Sequence, residues 1–497
     1  MLNAYFIENI INYAQQKRHA RLNLFVIAQE FYMKIALVWP KGFNVKTVIP
    51  LSLGYLKSNI DNKKHDVRIF DFALSDIDSE SSKIEEMVRD FNPQILGISS
   101  WTVTYAESFR ILERIKSIDR SIMTVIGGVH ATTSPGEVMK NKNVDFLFRG
   151  EAELRFSEFV DEVQKEIPNY SKIGNLTYRT GSGDIINNEL VWEKELDKIK
   201  IPDYDAIRLE DYIKRGYRYE SKDGRNAPIF LTRGCPYQCD FCSASILNGR
   251  IIRYHSKEYL AKWVTFLYRE KHIKTINIID DNFTFDRQYA KECCDTLIGL
   301  KLKGLHFGTP NGIRIERTDK ELFKMMKQAG WENITIAPES GSIKTLKRMK
   351  KNLDPAIVPQ KVKEIKEAGL KAIGFFIVGY PGETSKDIED TVRLIRKCRF
   401  DFFLLHNFQP LPGTPVYTKL VEEGSIPATF FHTDYHTGKA GYVPEELKDF
   451  SFSFLRIREY LYLAVTNPLS VIYVLKNFDL GMIFRRVLSN LMNMFAI

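Results

Sequence analysis

Three cysteines crowd into the segment RGCPYQCDFCSAS: Cys235, Cys239 and Cys242, spaced C-x-x-x-C-x-x-C. Three thiolates can hold three irons of a [4Fe–4S] cluster and leave the fourth iron open. A cluster with four cysteine ligands mainly moves electrons, whereas an open iron can bind a molecule and reduce it. The amino and carboxylate groups of S-adenosylmethionine (SAM) could chelate such an iron. One electron entering the sulfonium would break its C–S bond and yield a carbon-centred radical, a step carried by cofactors rather than by side chains. The competing reading is zinc, which usually takes paired C-x-x-C knuckles and a fourth ligand. The other cysteines, Cys293, Cys294 and Cys398, lie far off on predicted helices and read as buried small hydrophobes. Spacing and the strand-to-loop context favour the cluster.

Such a loop needs a frame. APIFLTRG (227–234) opens a strand–helix series whose later strands are TINIIDD (275–281), LHFGTP (305–310), ITIAPES (334–340), AIGFFIVGYPG (372–382) and FDFFLLHNF (400–408). Helices with apolar residues at helical spacing lie between them, such as DPAIVPQKVKEIKEAG (354–369). Six βα units over 227–425 predict a partial (βα)6 TIM-like barrel with its chemistry at the carboxyl ends of the strands. The polar residues at those ends are Asp280, Asp281 and Asn282, Asn311 and Arg314, Glu339 and Ser340, and Gly379, Pro381, Gly382 and Glu383. Paired carboxylates at a barrel mouth bind hydroxyls or move protons. Two acids at a strand end also cap helices, Ser342 stands just before a helix, and PGET alone is a turn.

An earlier series occupies residues 33–165. Strands KIALVW, VRIFDF, QILGISS, SIMTVIGG and VDFLFRG alternate with helices, so the expected fold is α/β, a Rossmann-like doubly wound parallel sheet. A ligand belongs beyond the strand carboxyl ends, where Trp39, Ser99, Ser100, Gly127, Gly128 and His130 fall. Residues 166–226 read as a linker with a GSGD turn at 181–184, and residues 1–32 as a helical extension. Residues 426–497 read as a helical, apolar and aromatic region that caps the barrel or lies on a membrane surface.

Composition sets the outer bounds. At 497 residues, with 44% hydrophobic and 27% charged residues, the chain fits two or three folded domains and not a disordered one. A net charge of +9 suits an anionic small molecule or a membrane surface without calling for nucleic acid. Six cysteines in this length form no disulfide framework and point to a reducing compartment. No secretory pattern and no run of about 18 apolar residues is present. The expectation is a cytoplasmic protein with an optional peripheral contact to the membrane.

The cysteine motif and the barrel behind it resemble the radical SAM superfamily. The resemblance implies that Cys235, Cys239 and Cys242 hold a [4Fe–4S] cluster and that Phe241 packs near the adenine of SAM. It also implies that Asp281, Asn311, Arg314, Glu339, Ser340 and Gly379 line the SAM and substrate cavity, and that an electron donor such as flavodoxin or ferredoxin serves the cluster. PLSLGYLKSNI, VRIFD, LGISSWTV, VIGGVHATTSP and DFLFRGEAE resemble the cobalamin (B12)-binding domain found in front of many radical SAM enzymes. In that likeness Gly127 and Gly128 let the backbone approach the corrin, Ser99, Ser100 and Thr102 meet its nucleotide tail, and His130 is a wall residue. No D-x-H-x-x-G stretch supplies a lower ligand for cobalt.

The implied activity is cobalamin-dependent methyl transfer to an unactivated carbon of a small molecule, lipid-like or anionic. Alternatives on the same frame are a radical SAM cyclase, oxidase or carbon–carbon coupling enzyme. From another class, a non-catalytic iron–sulfur or zinc protein would not cleave SAM.

Overall fold

The computed structural model describes residues 32–218, 224–429 and 441–471. The expected amino-terminal helical extension and the last basic, apolar segment lie outside the described residues.

The first unit is a parallel sheet of β1 (Lys34–Trp39), β2 (Asp66–Asp71), β3 (Ile95–Ser99), β4 (Met123–Gly127) and β5 (Phe146–Phe148), in the order β2-β1-β3-β4-β5. Successive side chains of a strand point to opposite faces. Ala36 and Val38 of β1 therefore join one core with Ile98 and Ile111, while Ile35, Leu37 and Trp39 join another with Phe156 and Phe159. Both faces are covered, which is why these strands read as unbroken apolar runs. The helix Lys83–Phe91 shows the matching pattern, burying Ile84, Met87, Val88 and Phe91. The chain moves in opposite directions from β1 to reach β2 and β3, which puts the topological switch point of the doubly wound sheet between β1 and β3.

Residues 166–226 do two things. A hairpin of β6 (Leu176–Arg179) and β7 (Ile185–Asn187), turned at Gly183 (φ +92°), extends the sheet antiparallel to β5. The stretch that follows buries Leu196, Ile199, Tyr204, Ile207, Tyr212 and Tyr217 in the core of the second unit, together with Leu51 and Tyr55 of the first. Tyr212 Oη donates to Asp71 at 2.6 Å and Tyr204 Oη to the Pro228 carbonyl at 2.7 Å, fixing one unit on the other.

The second unit begins with β8 (Asn226–Ile229), β9 (Thr232–Arg233) and β10 (Arg253–Tyr254), and continues with β11 (Thr275–Ile278), β12 (His306–Gly308), β13 (Asn333–Glu339), β14 (Lys371–Val378) and β15 (Phe402–Asn407). Parallel sheets β8-β11-β12 and β13-β14-β15 form the two halves of a barrel wall. The bridges Phe307–Trp331 and Ile313–Ile336 join them. Helices return over the outside, each with a local reason to start: Asp286, Asp319 and Ser342 accept from the first-turn amides, and Thr384 with Asp387 makes a capping box. The helix Phe452–Thr466 packs beside β15, with its buried Glu459 held by Arg396 at 2.8 Å.

Candidate functional site

The cysteine loop leaves the end of β9 through Gly234, whose φ is +95°; a Cβ there would sit 2.3 Å from the Ile251 carbonyl oxygen. Only glycine fits. Cys235 N donates to the Gly249 carbonyl at 3.0 Å, and Cys242 N to that of Cys239 at 3.2 Å, so the loop folds back on itself. Asp240 pins it to the barrel, through its amide to the Met349 carbonyl at 3.0 Å and its carboxylate to Lys350 at 2.8 Å. All three loop cysteines are partly exposed, while Cys293, Cys294 and Cys398 are buried, as their helical positions suggested.

Burial pushes the Cys242 thiol up to about 12 and raises Cys235 in the same direction, partly offset by backbone amides. Cys235 and Cys242 therefore favour the thiol form, and a strongly positive centre would draw their protons off. Among the described residues no three His, Cys, Asp or Glu side chains converge as the ligands of a single ion would. A four-iron cluster spreads its thiolates around a wider body, and three neighbouring thiols on one partly exposed loop fit it.

Arg314, after β12, lies over the loop. Its Nη1 is 3.9 Å from Cys239 Sγ, its guanidinium carbon 3.6 Å from the Tyr237 ring centre, and its Nη2 donates to Glu316 at 2.7 Å. Phe241 packs against the group containing Tyr380 and Phe408, at the end of β14.

The two adjacent acids divide. Asp280 is buried and accepts from the Leu231 amide, the Thr232 amide and Thr232 Oγ1, each at 2.8 Å, so it clamps β11 to the β8–β9 corner. Burial pushes it up to about 7 despite those donors. Asp281 accepts from Asn248 Nδ2 at 2.7 Å and lies within electrostatic range of Cys235 and Cys242. Neither acid caps a helix; Asp286 does that work.

Glu339 takes φ +65° where the β13–β14 register shifts, and accepts from buried Lys351 at 2.9 Å. A non-glycine residue in that region costs on the order of 1–3 kcal/mol and persists at sites that need it. Ser340 is turned inward, its hydroxyl 3.0 Å from Thr391 Oγ1, and ties the strand end to the helix Ser385–Cys398. Asn311 Nδ2 donates to the Ile279 carbonyl at 2.7 Å. Gly379 (φ +82°) lies against the Phe452 ring, and its amide donates to Glu383.

In the first unit a cavity of ≈ 200 Å³ opens at the strand ends. Ser99, Gly127 and Gly128 line one side, and Phe230, Arg233 and Asn248 of the second unit line the other. Gly128 (φ +97°) closes its back: a Cβ would lie 2.8 Å from the Ser100 carbonyl oxygen. Ser100 and Thr102 are buried behind the wall, not on it. His130 is not a wall residue either: it is fully buried, its ring tilted against Tyr105 with centroids 4.7 Å apart, and its Nε2 3.2 Å from Glu137.

Some of the buried polar atoms without a protein partner lie at these strand ends. They include Trp39 Nε1 and Ser100 Oγ in the first unit, and both amide atoms of Asn282, Thr309 Oγ1 and Glu383 Oε1 in the second. Buried polar groups are usually satisfied, so those at the mouth of the second unit, Asn282, Thr309 and Glu383, are free to meet a polar ligand. Sequence reasoning missed Glu151, Glu153, Arg233 and Arg253, a buried ion network between the units. The available signal was a pair of acids just past a buried strand and an arginine on each side of the cysteine loop.

Residues 229–395 match the Radical SAM superfamily, and residues 45–160 the B12 binding domain. An uncharacterized methyltransferase of Pyrococcus horikoshii is 31% identical over 395 residues, spanning 78% of this chain and 82% of the relative. The anaerobic magnesium-protoporphyrin IX monomethyl ester cyclase of Rubrivivax gelatinosus is 24% identical over 79% of this chain and 68% of its own length. In fold the chain is similar to the radical SAM methyltransferase TsrM of Kitasatospora setae, solved with cobalamin and a [4Fe–4S] cluster bound. That match has a TM-score of 0.67 at 16% identity and covers 79% of this chain and 78% of the other. The chain belongs to the radical SAM superfamily, among the enzymes that carry a B12-binding domain ahead of the radical SAM barrel.

Proposed function

We propose that this enzyme is a cobalamin-dependent radical SAM methyltransferase that alkylates an unactivated carbon of a small molecule. The observation that carries the reading is the shared cavity: the strand ends of the B12-type sheet and the neck of the cysteine loop wall the same space. When bound, the cluster supplies an open iron and one electron for SAM cleavage, and cobalamin supplies a methyl carrier.

The chain's own residues would bind and orient. Cys235, Cys239 and Cys242 are the cluster ligands, with Arg314 braced on Tyr237 and Cys239 to hold the loop. Asp281, fixed by Asn248, and Glu339, fixed by Lys351, offer carboxylates at the barrel mouth for ligand amino or hydroxyl groups. Phe241 offers an apolar face for the adenine, beside Gly379. Gly127 and Gly128 let the backbone approach the corrin, and Ser99 meets the cobalamin tail.

Partial exposure of the cysteine loop suits delivery of electrons by a flavodoxin or ferredoxin. No described helix is long and apolar enough to cross a membrane. The helix Phe452–Thr466 does present Phe454, Leu461 and Val465, 54%, 61% and 81% exposed, which supports peripheral contact with a bilayer and an apolar substrate. Flotation with anionic liposomes tests this; equal flotation of the chain and of a variant with all three changed to Ser would overturn it.

Anaerobic reconstitution with iron, sulfide and hydroxocobalamin, then reduction with methyl-labelled SAM, tests the central reading. Expected are cobalamin that stays through gel filtration, 5′-deoxyadenosine, and label on the cobalamin. No retained cobalamin removes the methyl-transfer reading. 5′-Deoxyadenosine with no labelled cobalamin points instead to cyclase-type chemistry, as the Rubrivivax relative's name suggests.

A further inference from the structure

The cysteine loop is an excursion closed by a very short neck. β9 and β10 are two residues each, and their antiparallel register sets Arg233 directly opposite Arg253. Both arginines are buried, 5% and 6% exposed. Like charges facing each other across a strand pair are destabilising, and more so out of water. Within the second unit Asp281 lies in electrostatic range of Arg233, but among the described residues no carboxylate of that unit forms an ion pair with either arginine.

The counter-charges come from the other domain. Glu151, just past β5, accepts from both terminal nitrogens of Arg253, at 2.7 and 2.6 Å, and lies 3.6 Å from Arg233 Nη1. Glu153 lies 2.7 Å from the same nitrogen of Arg233. Two buried cations meet two carboxylates, and these ion pairs exist only with the domains docked. Arg253 also donates to the Asn248 carbonyl at 2.7 Å, at the end of the helix Ala244–Asn248 that follows the last cysteine. Trp192 of the linker completes the joint. A Cβ on Gly150 would come within 2.8 Å of its ring, and one on Gly249, the residue whose carbonyl receives the Cys235 amide, within 3.0 Å.

We infer that Glu151 and Glu153 are positioning residues for the iron–sulfur cluster. The first domain supplies the negative charge that keeps the neck shut, so the three thiols hold their cluster-binding arrangement only against the docked B12-type domain. This rests on the cluster assignment to Cys235, Cys239 and Cys242.

The test is anaerobic reconstitution of the full chain, Glu151→Gln, and the double variant Glu151→Gln/Arg253→Gln. Iron and sulfide per chain, the electron paramagnetic resonance signal of the reduced cluster, and iron loss to a chelator are followed, with circular dichroism and a melt of each apo form. Glu151→Gln should fold, yet lose iron to the chelator about tenfold faster or more. The double variant, with charge balance restored, should recover most of that loss. Wild-type iron retention in Glu151→Gln, or a double variant as leaky as the single one, overturns the inference. If Glu151→Gln does not fold, Glu153→Gln, which leaves Glu151 between the arginines, is judged by the same two outcomes against Glu153→Gln/Arg233→Gln. A wild-type chain that takes up no cluster would instead remove the cluster assignment itself.

Discussion

Arg314→Gln should lower the midpoint potential of the reconstituted cluster. The guanidinium Nη1 is 3.9 Å from Cys239 Sγ, and the residue is largely buried. One unit charge at that distance, at an effective dielectric of about 20, is worth about 4 kcal/mol. Screening at the dielectric of bulk water, about 80, brings the effect down to about 1 kcal/mol, while Glu316, 2.7 Å from the other terminal nitrogen, is present in both proteins and drops out of the difference. For a one-electron couple these bounds correspond to shifts of about 170 and about 40 mV. The sign is fixed: a positive charge favours the reduced, more negative cluster, so its removal makes reduction harder. Arg314→Lys keeps the charge but loses the fork and the stack on Tyr237, so it should restore most of the potential while loosening the loop. A redox titration followed by electron paramagnetic resonance measures both variants. A full cluster in Arg314→Gln with an unchanged potential would mean that the guanidinium does not face the cluster.

Three further outcomes follow from the geometry. Gly128→Ala puts a methyl group 2.8 Å from the Ser100 carbonyl at a left-handed position, and should cut cobalamin retained after gel filtration while cysteine-bound iron is unchanged. His255 is fully buried, and burial outweighs Asp197 at 2.8 Å to depress its pKa to about 4. The unfolded chain therefore binds that proton first as pH falls, and about 3 kcal/mol of stability is lost between about pH 6.5 and 4. Denaturant titrations should show that acid slope flattened in His255→Gln, and an identical slope would count against it. Glu339→Gln strands the buried Lys351 ammonium and should cost about 3 kcal/mol or more, which Lys351→Met in the same chain largely recovers; a double variant no more stable than Glu339→Gln would refute the pairing.

The cysteine loop stood out because three cysteines fall within eight residues just past a strand, and the strands were legible because both-face burial leaves unbroken apolar runs such as Ile35–Trp39. The split between Asp280 and Asp281 was not legible. Neighbours on an extended chain point opposite ways, and which of the two met the Leu231 and Thr232 amides depended on where β8 lay. His130 shows the same limit, since its position past β4 suggested a wall, while the short helix Val129–Thr133 turns it toward Glu137. The Arg233–Arg253 opposition needs the β9–β10 register, and its neutralisation needs residues a hundred positions earlier. Local pattern contains neither.

The two halves of the barrel wall meet at a seam of two isolated bridges, with amide donations from Phe307 to Gly330 at 3.3 Å and from Ile313 to Thr335 at 2.9 Å. β13 and β14, by contrast, are zipped along most of their length. Widening the wall at the seam breaks fewer hydrogen bonds than widening it between β13 and β14. The barrel therefore behaves as two stiff panels on a weak hinge line, each keeping its own ligands in register. Arg314 stands just past that line, so a bulky guest that parts the panels pulls on the cysteine loop as well: its size would be felt at Cys239 through the same guanidinium that leans on it.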